Sequence, residues 1–225
     1  MRKGKLAYLL GLLLAGCGGG GGFTEDAPIF KTVVVHITGT DRNPLEVDVL
    51  QKTTTTVQVS SRNQQTQQCT DITTENVCAG ATLIGENLTV NFKSDVIKDA
   101  AGNPLPALPS PVLVEKYRVS YTGCLSGVYE FSVGQTISPG SETPITIQPI
   151  TIDMKNQMVQ QNQYTYTGND GCVTNLQVPA YPSICSAVAN FEFDLVELTT
   201  GKRAIIRYSL PVIFADYAQN DQCTR

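Results

Sequence analysis

The chain has 225 residues, with 16 Lys plus Arg against 20 Asp plus Glu, a net charge of −4 and a single histidine, His36. This balance excludes nucleic acid as a partner, because such binding needs a basic patch and the only basic cluster, Arg2, Lys3 and Lys5, stands at the extreme N-terminus. One histidine also leaves little room for nucleophile–base chemistry, whose base titrates near neutral pH.

In chain order, Arg2, Lys3 and Lys5 precede an almost wholly apolar run from Leu6 to Leu14, the layout of a secretory signal. As a helix those residues would cover about 14 Å against a hydrocarbon core of ~30 Å, so the run targets the chain and does not span. Leu14, Ala15, Gly16 and Cys17 resemble the lipobox of bacterial lipoproteins, in which the first mature residue supplies a sulfur for diacylglycerol. That resemblance implies a signal peptide over 1–16, cleavage before Cys17, and lipid on Cys17 with acyl chains such as palmitate. Each buried methylene contributes ~0.8 kcal/mol, so two or three chains anchor stably without any protein segment in the membrane. Loss of Arg2, Lys3 and Lys5 leaves 13 basic against 20 acidic side chains, a sign that disfavours adsorption to anionic lipid.

Gly18 to Gly22 have no side chains to pack and read as a flexible tether of about 12 Å root-mean-square span. Phe23 to Pro28 are expected to extend it, giving a lipidated linker over 17–28 and one folded domain over 29–225. Gly18 is not the aspartate that commonly retains Gram-negative lipoproteins at the inner membrane. By that resemblance the expected location is the outer membrane, facing either the periplasm or the surface.

From residue 29 the pattern is β. Phe30 to Ile37 is rich in Val and Thr, and Leu45, Val47 and Val49 alternate with Glu46 and Asp48, the period of a strand with one wet face. Thr53 to Val59 continues in that style. The alternation returns at Leu88, Val90 and Phe92, at Tyr117, Val119 and Tyr121, and at Tyr129, Phe131 and Val133. Ile145 to Ile152 is strand-like but holds Pro149, which removes a ladder donor and predicts an edge or a bulge. Asp153 to Gln161 suits a short helical turn, and Tyr164 with Tyr166 marks a short strand. Phe191, Phe193 and Leu195 alternate with Glu192 and Asp194; after a hairpin turn at Thr199 to Lys202, Ala204, Ile206, Tyr208 and Leu210 repeat the period, with Val212 to Tyr217 extending it. Ser61 to Gln68 and Ala100 to Pro111 read as loops. Many short strands with such turns predict an all-β antiparallel sandwich.

Seven cysteines become an even set of six once Cys17 is assigned to lipid: Cys69, Cys78, Cys124, Cys172, Cys185 and Cys223. An exported chain meets an oxidising compartment, so up to three disulfides are expected, and sequence alone allows about 15 pairings. The favoured set is local, with Cys69–Cys78 and Cys172–Cys185 stapling polar loops and Cys124–Cys223 left by elimination. The absence of Cys-x-x-Cys argues against metal ligation by these thiols.

Asp99, Ala100, Ala101, Gly102, Asn103, Pro104 and Leu105 resemble the turn between strands in bacterial immunoglobulin-like surface domains. Ser110 to Thr122, Ile145 to Asn156 and Val212 to Tyr217 resemble segments of Gram-negative lipoproteins. The resemblance implies an immunoglobulin-like β-sandwich and carries no catalytic or ligand residue across.

For chemistry, His36 sits in a strand without a nucleophile-elbow sequence such as Gly-x-Ser-x-Gly. Glu192 and Asp194 share a strand face and are the candidate carboxylate pair. Asp95 and Asp99 near Asn103 are the candidate calcium ligands, though sparser than an EF-hand loop. Tyr117, Tyr121, Tyr129, Tyr164, Tyr166 and Tyr208 could line a sugar-binding face, but such residues more often fill a β core with the hydroxyl at its wet margin. No metal or cofactor is expected. The expected function is a non-catalytic interaction or structural module held to a membrane by lipid, with a protein or glycan partner in the envelope; the alternative is a carboxylate-dependent envelope hydrolase.

Overall fold

Residues that alternate wet and dry sides need two sheets facing each other, and the chain builds them. The computed structural model describes residues 23–25, 28–105, 108–160, 163–167, 170–179, 184–217 and 223. Cys17, the signal segment and the glycine run lie outside the described residues.

The small sheet has the order β2 (Val33–Thr40), β6 (Glu86–Val96), β9 (Glu142–Ile150), all antiparallel. As Pro149 predicts, β9 is an edge strand. The large sheet runs from β13 (Arg203–Ala215) through β12 (Cys185–Glu197) and β7 (Val112–Gly123) to β8 (Gly127–Ile137), again antiparallel. Two short strands share the outer edge of β13 end to end. β1 (Phe23–Glu25) pairs antiparallel with Arg207 to Ser209, and β3 (Leu45–Asp48) pairs parallel with Val212 to Ala215. β1 therefore lies within the stretch expected to serve as tether, and the fold begins sooner after the glycines.

Between the sheets lies one core of Val, Ile, Leu, Phe and Tyr side chains. Phe92 of β6 meets Phe193 of β12 edge to face, with ring centroids 5.1 Å apart, a contact worth about 1 kcal/mol beyond its buried area. Tyr117 and Tyr121 cross from the large sheet and donate to the Gln148 and Pro149 carbonyls of β9 at 2.9 and 2.6 Å. Both phenols are buried, which pushes their ionisation well above the ordinary tyrosine range. These tyrosines and Tyr208 fill the core, the commoner of the two readings of such residues, and form no sugar-binding face. A bulge at Glu115 keeps Val114 and Tyr117 both inward despite their odd spacing.

Two insertions leave the sandwich. Between β3 and β6 the chain makes the hairpin β4 (Gln51–Ser61) and β5 (Asp71–Thr82). Between β9 and β12 it makes α1 (Ile152–Gln160), capped where the Met154 amide donates to the Thr151 hydroxyl at 3.3 Å, then the hairpin β10 (Gln163–Thr167) and β11 (Val173–Pro179). Val59, Val77, Cys172, Thr174 and Val178 are buried apart from the main core, and Tyr166 Oη donates to Glu75 at 3.2 Å. The hairpins thus pack on each other as a satellite layer. Both Asp71 to Val77 and Val173 to Pro179 are strands where loops were expected.

Candidate functional site

That correction decides the cysteine pairing. Extended chain rises about 3.3 Å per residue, so the strand residues Asp71 to Val77 carry Cys78 of β5 roughly 20 Å from the Cys69 turn, whereas a disulfide needs Cα atoms within about 7 Å, and β11 likewise carries the chain away from Cys172. The observed bridges are long-range: Cys69–Cys172, Cys78–Cys223 and Cys124–Cys185, with Cα separations of 5.7, 5.8 and 6.1 Å. The first joins the two hairpins, the second ties the C-terminal tail to β5, and the third locks the β7–β8 turn to the start of β12. Gly123 serves this last junction: at φ +122° a side chain is strained, and a Cβ would lie 2.5 Å from the Ser186 carbonyl.

The outer face of the large sheet carries the candidate carboxylates. Strand register places Glu130, Arg118, Glu192 and Arg207 in one row across β8, β7, β12 and β13. Arg118 donates to Glu130 at 3.1 Å and to Glu192 at 3.2 Å, and Arg207 Nε donates to the other Glu192 oxygen at 2.9 Å. Lys116 lies 2.9 Å from Glu130 and 3.6 Å from Asp194. Hydrogen bonds from Lys116 and Arg118 hold the Glu130 carboxyl below the usual range, and Glu130 raises both cations in return. Glu192 and Asp194 therefore share a face as expected, but each is engaged by cations from neighbouring strands.

The remaining candidates do not converge. His36 Nε2 meets Asp95 at 3.3 Å on the outer face of the small sheet. Asp99 instead closes its own turn: the Asn103 and Ala101 amides donate to its Oδ1 at 2.8 and 2.9 Å, and the Asn103 amide leads the effects that lower its carboxyl. Asp95 and Asp99 thus serve different partners, and among the described residues no group of three or more His, Cys, Asp or Glu side chains is placed to hold a metal.

Two buried charges went unseen in the sequence. Lys155 of α1, its side chain 2% exposed, donates to the Asp48 carbonyl at 2.5 Å and to Glu86 at 2.8 Å, and Arg42 reaches the second Glu86 oxygen at 3.3 Å. Glu197, fully buried at the end of β12, accepts from the Thr32 amide at 2.9 Å, the Thr32 hydroxyl at 2.6 Å and the Thr200 hydroxyl. Burial alone would raise its carboxyl, but the Thr200 and Thr32 hydroxyls and the Thr32 and Lys31 amides outweigh burial and hold it low. Lys155 has a sequence signature: it falls on the same helical stripe as Met154, Met158 and Val159.

No family model, curated protein or solved structure matches the chain. Among the described residues no helix is long and apolar enough to cross a membrane.

Proposed function

We propose that this protein is a lipid-anchored envelope component, held at the outer membrane through Cys17, whose immunoglobulin-like sandwich serves as a non-catalytic interaction module. The observation that carries the anchor is parity. Three disulfides use six of the seven cysteines, which leaves Cys17, at the lipobox-like sequence, as the odd one. Stable disulfides also fit an oxidising compartment.

The immunoglobulin-like reading is supported by strand order. One sheet takes its strands as β2, β6 and β9; the other takes β13, β12, β7 and β8, the pattern of A-B-E facing G-F-C-C′ in that fold, with the two hairpins as insertions. An interaction module is favoured over a carboxylate hydrolase by the ion pairs that occupy Glu192 and Asp194.

Mass spectrometry of the mature N-terminus tests the anchor. The expected product begins at Cys17 with diacylglycerol and an acyl chain, and Cys17→Ala leaves unmodified precursor. A mature protein that begins elsewhere without lipid overturns the reading, and Glu192→Gln abolishing an envelope-glycan hydrolysis would restore the enzyme.

A further inference from the structure

Two neighbouring rows on the outer face of the large sheet differ in side-chain length. The row Arg118, Glu192, Arg207 is long; the next row along the same strands, Ser120, Asn190, Ser209, is short. Same-face rows lie about 7 Å apart, so the short row leaves a hollow beside the long one. That hollow is a cup of about 180 Å³, floored by Ser120, Asn190 and Ser209 and walled by Arg118, Glu192 and Arg207.

The floor keeps unused hydrogen-bonding capacity. Ser209 Oγ donates to Asn190 Oδ1 at 2.8 Å, which leaves the Asn190 amide donors and the Ser120 hydroxyl without a partner among the described residues. Donors and acceptors are mixed, which suits groups that are both at once, as hydroxyls are. An anion is disfavoured, since Arg118 and Arg207 are already faced by Glu130 and Glu192. An extended peptide is disfavoured too. Peptides add to free sheet edges, whereas this cup lies over β7, β12 and β13, each paired on both sides. Size narrows the choice further, because the cup falls below the roughly 300–1,000 Å³ of drug-sized pockets and takes one ring, not a chain.

We infer that this cup binds a single neutral pyranose unit of an envelope glycan, an assignment that rests on the interaction-module reading and names its ligand class. Ser120, Asn190 and Ser209 would meet the ring hydroxyls from below, and the Glu192 and Arg207 side chains would grip adjacent hydroxyls from the wall. A few hydrogen bonds exchanged against water give only weak affinity for one unit, and repeated units along a glycan raise it by avidity.

The test is NMR titration of the isotope-labelled full chain with the methyl glycosides of glucose, galactose and N-acetylglucosamine, with glycerol as a polyol control. At least one glycoside, and not glycerol, should shift the Ser120, Asn190 and Ser209 amides saturably with a millimolar dissociation constant. Asn190→Leu, which fills the cup from an outward position, should weaken that binding at least tenfold while the melting temperature stays within a few degrees. Ser120→Ala provides a second, smaller change in case the first disturbs the sheet. Silence across the panel, shifts mapping elsewhere, or equal response to glycerol overturns the assignment. Retention of the wild type and of Asn190→Leu alike on intact envelope would overturn it while leaving the broader interaction reading in place.

Discussion

Cys69 and Cys172 stand 103 residues apart in the chain, yet their Cα atoms are 5.7 Å apart and a disulfide joins the turn of one inserted hairpin to the turn of the other. In the chain-entropy account a loop of that length makes the bridge worth about 4–5 kcal/mol. The stabilisation falls on a satellite layer whose buried residues, Val59, Val77, Thr174 and Val178, are too few to hold two hairpins alone. Cys69→Ser with Cys172→Ser should therefore raise amide exchange in β4, β5, β10 and β11 at least tenfold while β7 and β12 stay protected. Equal loosening of both regions would mean that the layers unfold as one unit, and peptide mapping that recovered Cys69 joined to Cys78 would refute the topology.

A different kind of tie holds α1. Lys155 is buried against Glu86 and the Asp48 carbonyl, joining the helix to β6 and β3. Removing one partner of a buried ion pair strands the other, at a cost of about 3 kcal/mol, whereas removing both is often close to neutral. Because Arg42 still faces Glu86 at 3.3 Å, Lys155→Met should destabilise by up to that amount in denaturant unfolding, and Lys155→Met with Glu86→Leu should recover part of it. If the single substitution proves as harmless as one at a surface lysine, the pair is not what seats the helix.

Sequence made the sandwich legible wherever a strand has one wet side. Phe191, Phe193 and Leu195 face in while Glu192 and Asp194 face out, so the period shows directly. Asp71 to Asn76 gives no such signal, because this projecting stretch of β5 is exposed on nearly every residue and its polarity reads as loop. Misreading that strand is what made a local Cys69–Cys78 staple look sensible. The carboxylates of the candidate site were found, but their fate was not. Which cation faces Glu192 is set by cross-strand register, a tertiary property that alternation along one strand cannot carry. Glu197 was hidden for the same reason, since Thr32 comes to it from 165 residues away.

The charged row on the large sheet should contribute specificity of register more than stability. Its members are a third to half exposed, and pairs of that kind contribute about 0–1 kcal/mol each. Glu192→Gln should lower the melting temperature by only a few degrees, and raising salt toward 1 M should erase most of the difference, because screening then acts within ~3 Å. A large effect that salt does not change would place Glu192 in a tighter network than these distances describe.

Glu197 gives a prediction about acid. Its folded carboxyl titrates below the unfolded one, so its contribution is fully present above the unfolded value of about 4.3 and is lost as pH falls through the folded value. Glu197→Gln removes the charge while keeping the shape, and its amide hydrogens must face Thr32 and Thr200 donors that want an acceptor. At neutral pH the variant should be less stable by about 2 kcal/mol, the scale of hydrogen bonds to a charged group. As the pH falls from the unfolded value through the lower folded one, the two proteins should converge, because wild-type Glu197 then takes up the proton that the amide imitates. Glu130 and Asp99, whose carboxyls are also held low, titrate alike in both proteins and cancel in the comparison. Thermal melts of wild type and variant across that range measure the gap directly. A gap that stays constant as the pH drops would show that Glu197 acts through its shape and not through its charge.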